Sequence, residues 1–149
     1  MNNSKLINPD GYTLAELLGR EKTIALLGNQ TILIEVEERS ASMDFSGSTL
    51  TRHWYLEVKN RNCKSDAFDT DILEYKKLKG MQNVDKNGIY YYLVFYSDNK
   101  ARLYCLNKIR MIDVFVGMFD CPDSSVEDKG NTMKLCYELP HHLGKPYKL

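Results

Sequence analysis

The chain has no apolar stretch approaching the roughly 18 to 20 residues that a membrane span needs, and its first residues, Met1-Asn2-Asn3-Ser4-Lys5, lead into no signal-peptide core. Both absences predict a cytoplasmic protein with no membrane partner. There is no Cys-x-x-Cys pair either. The four cysteines, Cys63, Cys105, Cys121 and Cys136, are scattered, and none of the three histidines stands at ligand spacing from one of them. That pattern fits reduced thiols and argues against a disulfide framework or a structural zinc. Charge of one sign is missing too: Lys plus Arg and Asp plus Glu each total 20, which excludes a polycation that attracts nucleic acid over its whole surface but leaves room for a local basic site. Repeats, low-complexity runs and linkers are absent, so the 149 residues are read as one domain, 1–149.

What is present is an alternation of helical and strand-like segments. Thr13-Leu14-Ala15-Glu16 is a capping box opening a helix that Gly28-Asn29 ends. Residues 31–37 alternate, with Ile32, Ile34 and Val36 on one face. The Ser/Thr-rich stretch 40–51 suggests a short strand around Met43-Asp44-Phe45 and a turn. Residues 53–61 alternate most cleanly: Trp54, Leu56 and Val58 share one face, and His53, Tyr55, Glu57, Lys59 and Arg61 share the other. A second helix is expected from about Asp69 to Lys79, with Phe68, Ile72, Tyr75 and Leu78 inward and Gly80 as its stop. Residues 89–96 read as an apolar strand turning at Ser97-Asp98-Asn99-Lys100 into another at 101–107. The run 108–119 fits helix or strand, residues 133–139 read as a last strand, and the tail from Pro140 as a surface excursion. The order points to an α/β (α+β) domain with a mixed sheet.

One constellation carries chemistry. Glu57 and Lys59, two apart on a strand, lie side by side, and Asp44, the only acid between Glu38 and Glu57, is one strand and a turn upstream. Two converging carboxylates repel unless a cation lies between them, and an all-oxygen pocket selects a hard ion, Mg²⁺ or Mn²⁺. Such an ion with a neighbouring lysine supplies what phosphodiester hydrolysis needs.

An acid-x-Lys pattern on an amphipathic strand, with an Asp on the strand before it, resembles the PD-(D/E)xK nuclease superfamily. The resemblance implies a restriction-endonuclease-like core: a mixed central sheet flanked by helices in the order αβββαβ, here with C-terminal strands added. It also implies roles. Asp44 and Glu57 correspond to the metal-binding acids, Lys59 to the catalytic lysine, and Val58 to the position whose carbonyl helps hold the metal. Glu74 or Lys77 on the following helix, and Glu16 or Glu21 on the first, correspond to accessory positions. Met43 stands where the family often has proline. The implied activity is Mg²⁺- or Mn²⁺-dependent cleavage of nucleic acid, DNA first, in a branch similar to small phage or mobile-element nucleases, with a homodimer open.

Ordinary readings compete at each position. Glu57, Lys59 and Arg61 also suit a wet strand face with cross-strand ion pairs, and Asp44 suits a turn. Arg52, Arg61, Lys64 and Lys76, with Lys77 and Lys79, could contact phosphates or form a solvated face. Another register would put Glu35 or Glu37 in place of Asp44. His53 and the His141-His142 pair read as surface residues, and most of the Tyr90-Tyr91-Tyr92 rings as structural. The rival function is a catalytically inactive nuclease fold or sheet protein acting as a binding module.

Overall fold

The computed structural model describes residues 14–28, 31, 33–36, 43–122 and 131–149. Thr13 of the capping box, Ile32 and Glu37 lie outside them. Helix α1 (Leu14–Leu27) is followed by three antiparallel strands, β1 (Ile34–Glu35), β2 (Phe45–Ser48) and β3 (His53–Asn60). Strand β4 (Thr70–Glu74) leads directly into helix α2 (Tyr75–Val84), which crosses over to β5 (Ile89–Phe95), parallel to β3. Strand β6 (Lys100–Cys105) folds back on β5 through a turn in which Asn99 takes φ 58°, a conformation that asparagine tolerates. Two short 3₁₀ turns follow, then β7 (Phe115–Pro122), β8 (Asn131–Pro140) and β9 (Lys145–Lys148). The result is a mixed six-stranded sheet, β1-β2-β3-β5-β6-β9, and a three-stranded sheet, β4-β8-β7. The described residues thus form a mixed α/β structure with two α-helices, and neither is long and apolar enough to cross a membrane.

The alternation of β3 does what its period requires. Trp54 and Leu56 are buried with Phe45, Leu93, Phe95 and Ala101, and Leu26, Leu27 and Val58 pack on the same cluster, so α1 covers this face. The opposite face is covered as well. Tyr90, Tyr92, Val94 and Tyr104 of the large sheet share a second cluster with Leu78 and Met81 of α2 and with Leu73, Tyr137 and Leu139 of the small sheet. Glu57 therefore stands on a face roofed by α2 and the small sheet, and not on a wet one.

Several expectations need correction. The first half of the expected second helix is strand β4: Asp71 and Leu73 turn inward, Thr70 and Ile72 outward, and all five residues pair with β8. Strand pairing satisfies this segment's backbone groups, and β-branched Thr70 and Ile72 suit it. Phe68 is exposed. Gly80 does not end α2, which continues to Val84 and buries Met81, because that buried side chain offsets the roughly 1 kcal/mol cost of an interior glycine. Ile34 is exposed on the two-residue edge strand β1. The tail is no surface excursion, since β9 closes the free edge of β6. The ambiguous run 108–119 becomes 3₁₀ turns and the start of β7.

Gly47 faces Trp54 across the β2–β3 ladder, and a Cβ there would lie 2.1 Å from the indole Cζ2. Gly47→Ala should therefore cost about 1–3 kcal/mol through displacement of the ring. Trp54 is the only tryptophan, so its fluorescence in a urea titration reads this loss directly.

Candidate active site

Asp44 immediately precedes β2, and its N–H donates to the Leu56 carbonyl (2.8 Å). Extending the Phe45–Leu56 register by one residue sets Asp44 opposite Glu57, and cross-strand partners share a face. The Asp44 carboxylate is held on both oxygens. Oδ2 accepts the Val58 N–H (2.8 Å), and Oδ1 pairs with the Arg20 guanidinium (3.1 Å). Arg20 also donates to the Val36 carbonyl (2.9 Å), which fastens α1 to the end of the β1–β2 ladder. In a strand, the N–H and C=O of one residue point the same way, so the Val58 carbonyl faces the side on which its N–H meets Asp44.

Glu57 is only 8% exposed. Its Oε1 pairs with the Lys77 ammonium (3.3 Å), while its buried Oε2 has no hydrogen-bond partner among the described residues. Burial first, and then the negative charge of Asp44, push the Glu57 carboxyl up to about 8 against the pull of Lys77 and Lys59. Lys59, two residues along on the same face, is lowered from the usual lysine value by desolvation and then by Arg61, with Glu57, Glu74 and Glu16 opposing. Lys77 is raised: burial disfavours its charge, but Glu57, Asp44 and Glu74 outweigh that cost. Glu57, Lys59, Arg61, Glu74, Lys77 and Asp120 line a cavity of about 100 Å³ between β3 and the small sheet.

The expected residues divide accordingly. Asp44, Glu57, Val58, Lys59, Lys77 and Glu74 converge, and Glu16 on α1 is close enough to act on Lys59. Glu74 ends β4 and pairs with Lys134 (3.2 Å). Glu21 is exposed on α1. Arg61 lies in the cavity wall, donating to the Ile72 carbonyl (2.7 Å). Arg52 is at the opposite end of β3 from Lys59, bonded to the Asn87 and Gly88 carbonyls (3.0 and 3.1 Å). Lys64 and Lys76 are exposed, in a loop and on α2. Glu35 is exposed on β1, and it is Asp44 that faces Glu57. His53 bonds Ser48 at the surface (2.8 Å), and the Tyr92 hydroxyl bonds the Ile72 carbonyl (2.8 Å). Sequence reasoning does not single out Arg20 or Asp120. Arg20 carries a faint signal, four residues after Glu16 and hence on one helix face; Asp120 carries none.

Among the described residues, no group of three or more His, Cys, Asp or Glu side chains could hold a metal ion. The donors the β2–β3 ladder brings together are the Asp44 and Glu57 carboxylates and the Val58 main-chain carbonyl, with Glu74 and Asp120 elsewhere in the cavity wall. That set suits Mg²⁺, which keeps several waters and takes one or two protein carboxylates. The orphaned Oε2 of Glu57 is the atom that a cation would satisfy. No family model matches the chain, and neither a curated protein nor a solved structure matches it.

Proposed function

We propose that this chain is a divalent-metal-dependent nuclease that hydrolyses phosphodiester bonds, with DNA as its substrate, on a restriction-endonuclease-like core. The observation that carries the reading is Asp44 facing Glu57 across the β2–β3 ladder, bonded to the Val58 N–H, with Lys59 next on the same face. Part of the topology supports it: an antiparallel β1-β2-β3 meander and a parallel β5, with α1 against one face and α2 against the other, while the crossover departs from the order αβββαβ by carrying the extra strand β4 before α2. Asp44, Glu57 and the Val58 carbonyl would hold Mg²⁺ or Mn²⁺. When bound, the ion supplies an activated water and balances charge on the phosphate. Lys59, at the cavity rim with a lowered ammonium, orients the attacking water and stabilises the phosphate. Arg20 keeps the Asp44 carboxylate turned toward Val58.

One observation favours the rival, a binding module without catalysis: the Asp44 and Glu57 carboxyl groups already contact side-chain cations, Arg20 and Lys77. Calorimetric titration with Mn²⁺ separates the two. The nuclease reading expects binding that tightens as pH rises toward about 8, because the ion must displace the Glu57 proton; the module expects no heat. Plasmid and single-stranded DNA incubated with Mg²⁺ or Mn²⁺ should be nicked, and EDTA should stop the reaction. Intact substrate under all these conditions overturns the nuclease.

A further inference from the structure

Strands β7 and β8 form a hairpin whose curvature the sulfur positions disclose. Cys121 pairs opposite Thr132, and Cys136 opposite Gly117, so the two cysteines are four residues apart in register. A flat ladder would separate them by about 13 Å. Their sulfurs are 3.9 Å apart. The hairpin is therefore coiled sharply, with both thiols on its concave side. The same coil sets Asp120 and Cys121 into the wall of the cavity that holds Glu57 and Lys59. Cys136 is fully buried behind it.

From this juxtaposition we infer that Cys121 and Cys136 are a peroxide-responsive thiol pair whose disulfide locks the coiled hairpin against the cavity and closes it to a polymeric substrate. The closure rests on the nuclease reading; the disulfide does not. The cavity, at about 100 Å³, admits an oxidant of water-like size. Cys121, on the wall, meets the oxidant. Its thiolate attacks one peroxide oxygen, the O–O bond breaks and hydroxide leaves, giving a sulfenic acid. The Cys136 sulfur then attacks the sulfenic sulfur, the S–O bond breaks, and the departing oxygen leaves as water with the Cys136 proton. Overall, two thiols and one hydrogen peroxide give one disulfide and two waters. Burial, followed by the neighbouring Cys121, pushes the Cys136 thiol up to about 12, which leaves first contact with the oxidant to Cys121. Reduction by a dithiol reverses the link.

The test uses the full chain, reduced and then treated with hydrogen peroxide. Peptide mapping should show one Cys121–Cys136 cross-link, with Cys63 and Cys105 still open to alkylation, and an intact mass lower by about 2 Da, two hydrogens. Plasmid nicking with Mg²⁺ should be lost in parallel and return with dithiothreitol. Cys136→Ser should nick like the reduced protein and keep that activity in peroxide. A cross-link at other cysteines, or Cys121 oxidised to sulfinic acid without one, overturns the pair. Unchanged nicking by the cross-linked protein overturns the closure. Should the reduced protein not nick at all, the nuclease reading and the closure fall together, and the mapped cross-link still decides the thiol pair.

Discussion

Glu57→Gln is expected to abolish phosphodiester cleavage and, in the same protein, to raise stability at alkaline pH. The two effects have one origin. The carboxyl, at 4.5 when unfolded and about 8 when folded, keeps its proton in the native state over a range where the unfolded chain has lost it. Stability linked to this group is complete below 4.5 and is lost as pH rises through about 8. Above that, the native site carries an ionised carboxylate that burial and Asp44 both disfavour. Glutamine removes the charge. After allowance for the weaker contact that a neutral amide offers the Lys77 ammonium, the gain at pH 9 is on the order of 2 kcal/mol, and at pH 4 it vanishes. On the proposed nuclease reading, loss of this carboxylate would weaken metal binding and with it the electrostatic stabilisation of the phosphate, about 10²–10³-fold in rate. Melting curves at pH 4, 7 and 9, beside nicking assays, read both effects. A Glu57→Gln variant that is less stable than wild type at pH 9 would contradict the strained carboxyl, and one that cuts at the wild-type rate would remove Glu57 from the site.

Asp71→Ala is the substitution expected to damage the fold most. Asp71, buried on β4, accepts hydrogen bonds on Oδ2 from the Tyr96 hydroxyl (2.5 Å) and the Tyr104 hydroxyl (2.7 Å), with His141 Nε2 3.4 Å away. Burial and then Asp71 raise both phenols well above the ordinary tyrosine range, so both remain donors. Alanine leaves two buried hydroxyls without an acceptor, at about 1–3 kcal/mol each, so a total near 3–5 kcal/mol is expected. The cluster joins the two sheets, since Asp71 belongs to the small one and Tyr104 to the large one. Asp71→Asn retains one acceptor oxygen and should lose much less. Urea unfolding followed by Trp54 fluorescence compares them, and an alanine variant within about 1 kcal/mol of wild type would show that the hydroxyls have other partners.

How much of this could be read in the sequence depends on the range of the interaction. The alternation through residues 53–61 is a period-two signal over nine positions, and it marks the faces of β3 and the neighbourhood of Glu57 and Lys59. Residues 69–79 satisfy helical spacing and strand spacing together. The choice is made by β8, whose Tyr137 and Leu139 pair with Leu73 and Asp71 from more than sixty residues away. Glu57 looks solvated until α2 and the small sheet cover it, so its burial is invisible in one dimension. Arg20 is hidden for the same reason, because Asp44 lies 24 residues distant. The cationic cluster along the chain is divided in space: Arg52 and Lys59 end up at opposite ends of one strand.

The Val58 amide has a carboxylate for its acceptor where a strand residue ordinarily has a backbone carbonyl. Its protection from solvent deuterium therefore depends on the charge and orientation of one side chain, while its neighbours in β3 are protected by the sheet itself. A ligand that draws on the Asp44 oxygens alters that single exchange rate before it alters the strand, so this N–H serves as an isotopic gauge of what the Asp44 carboxylate holds.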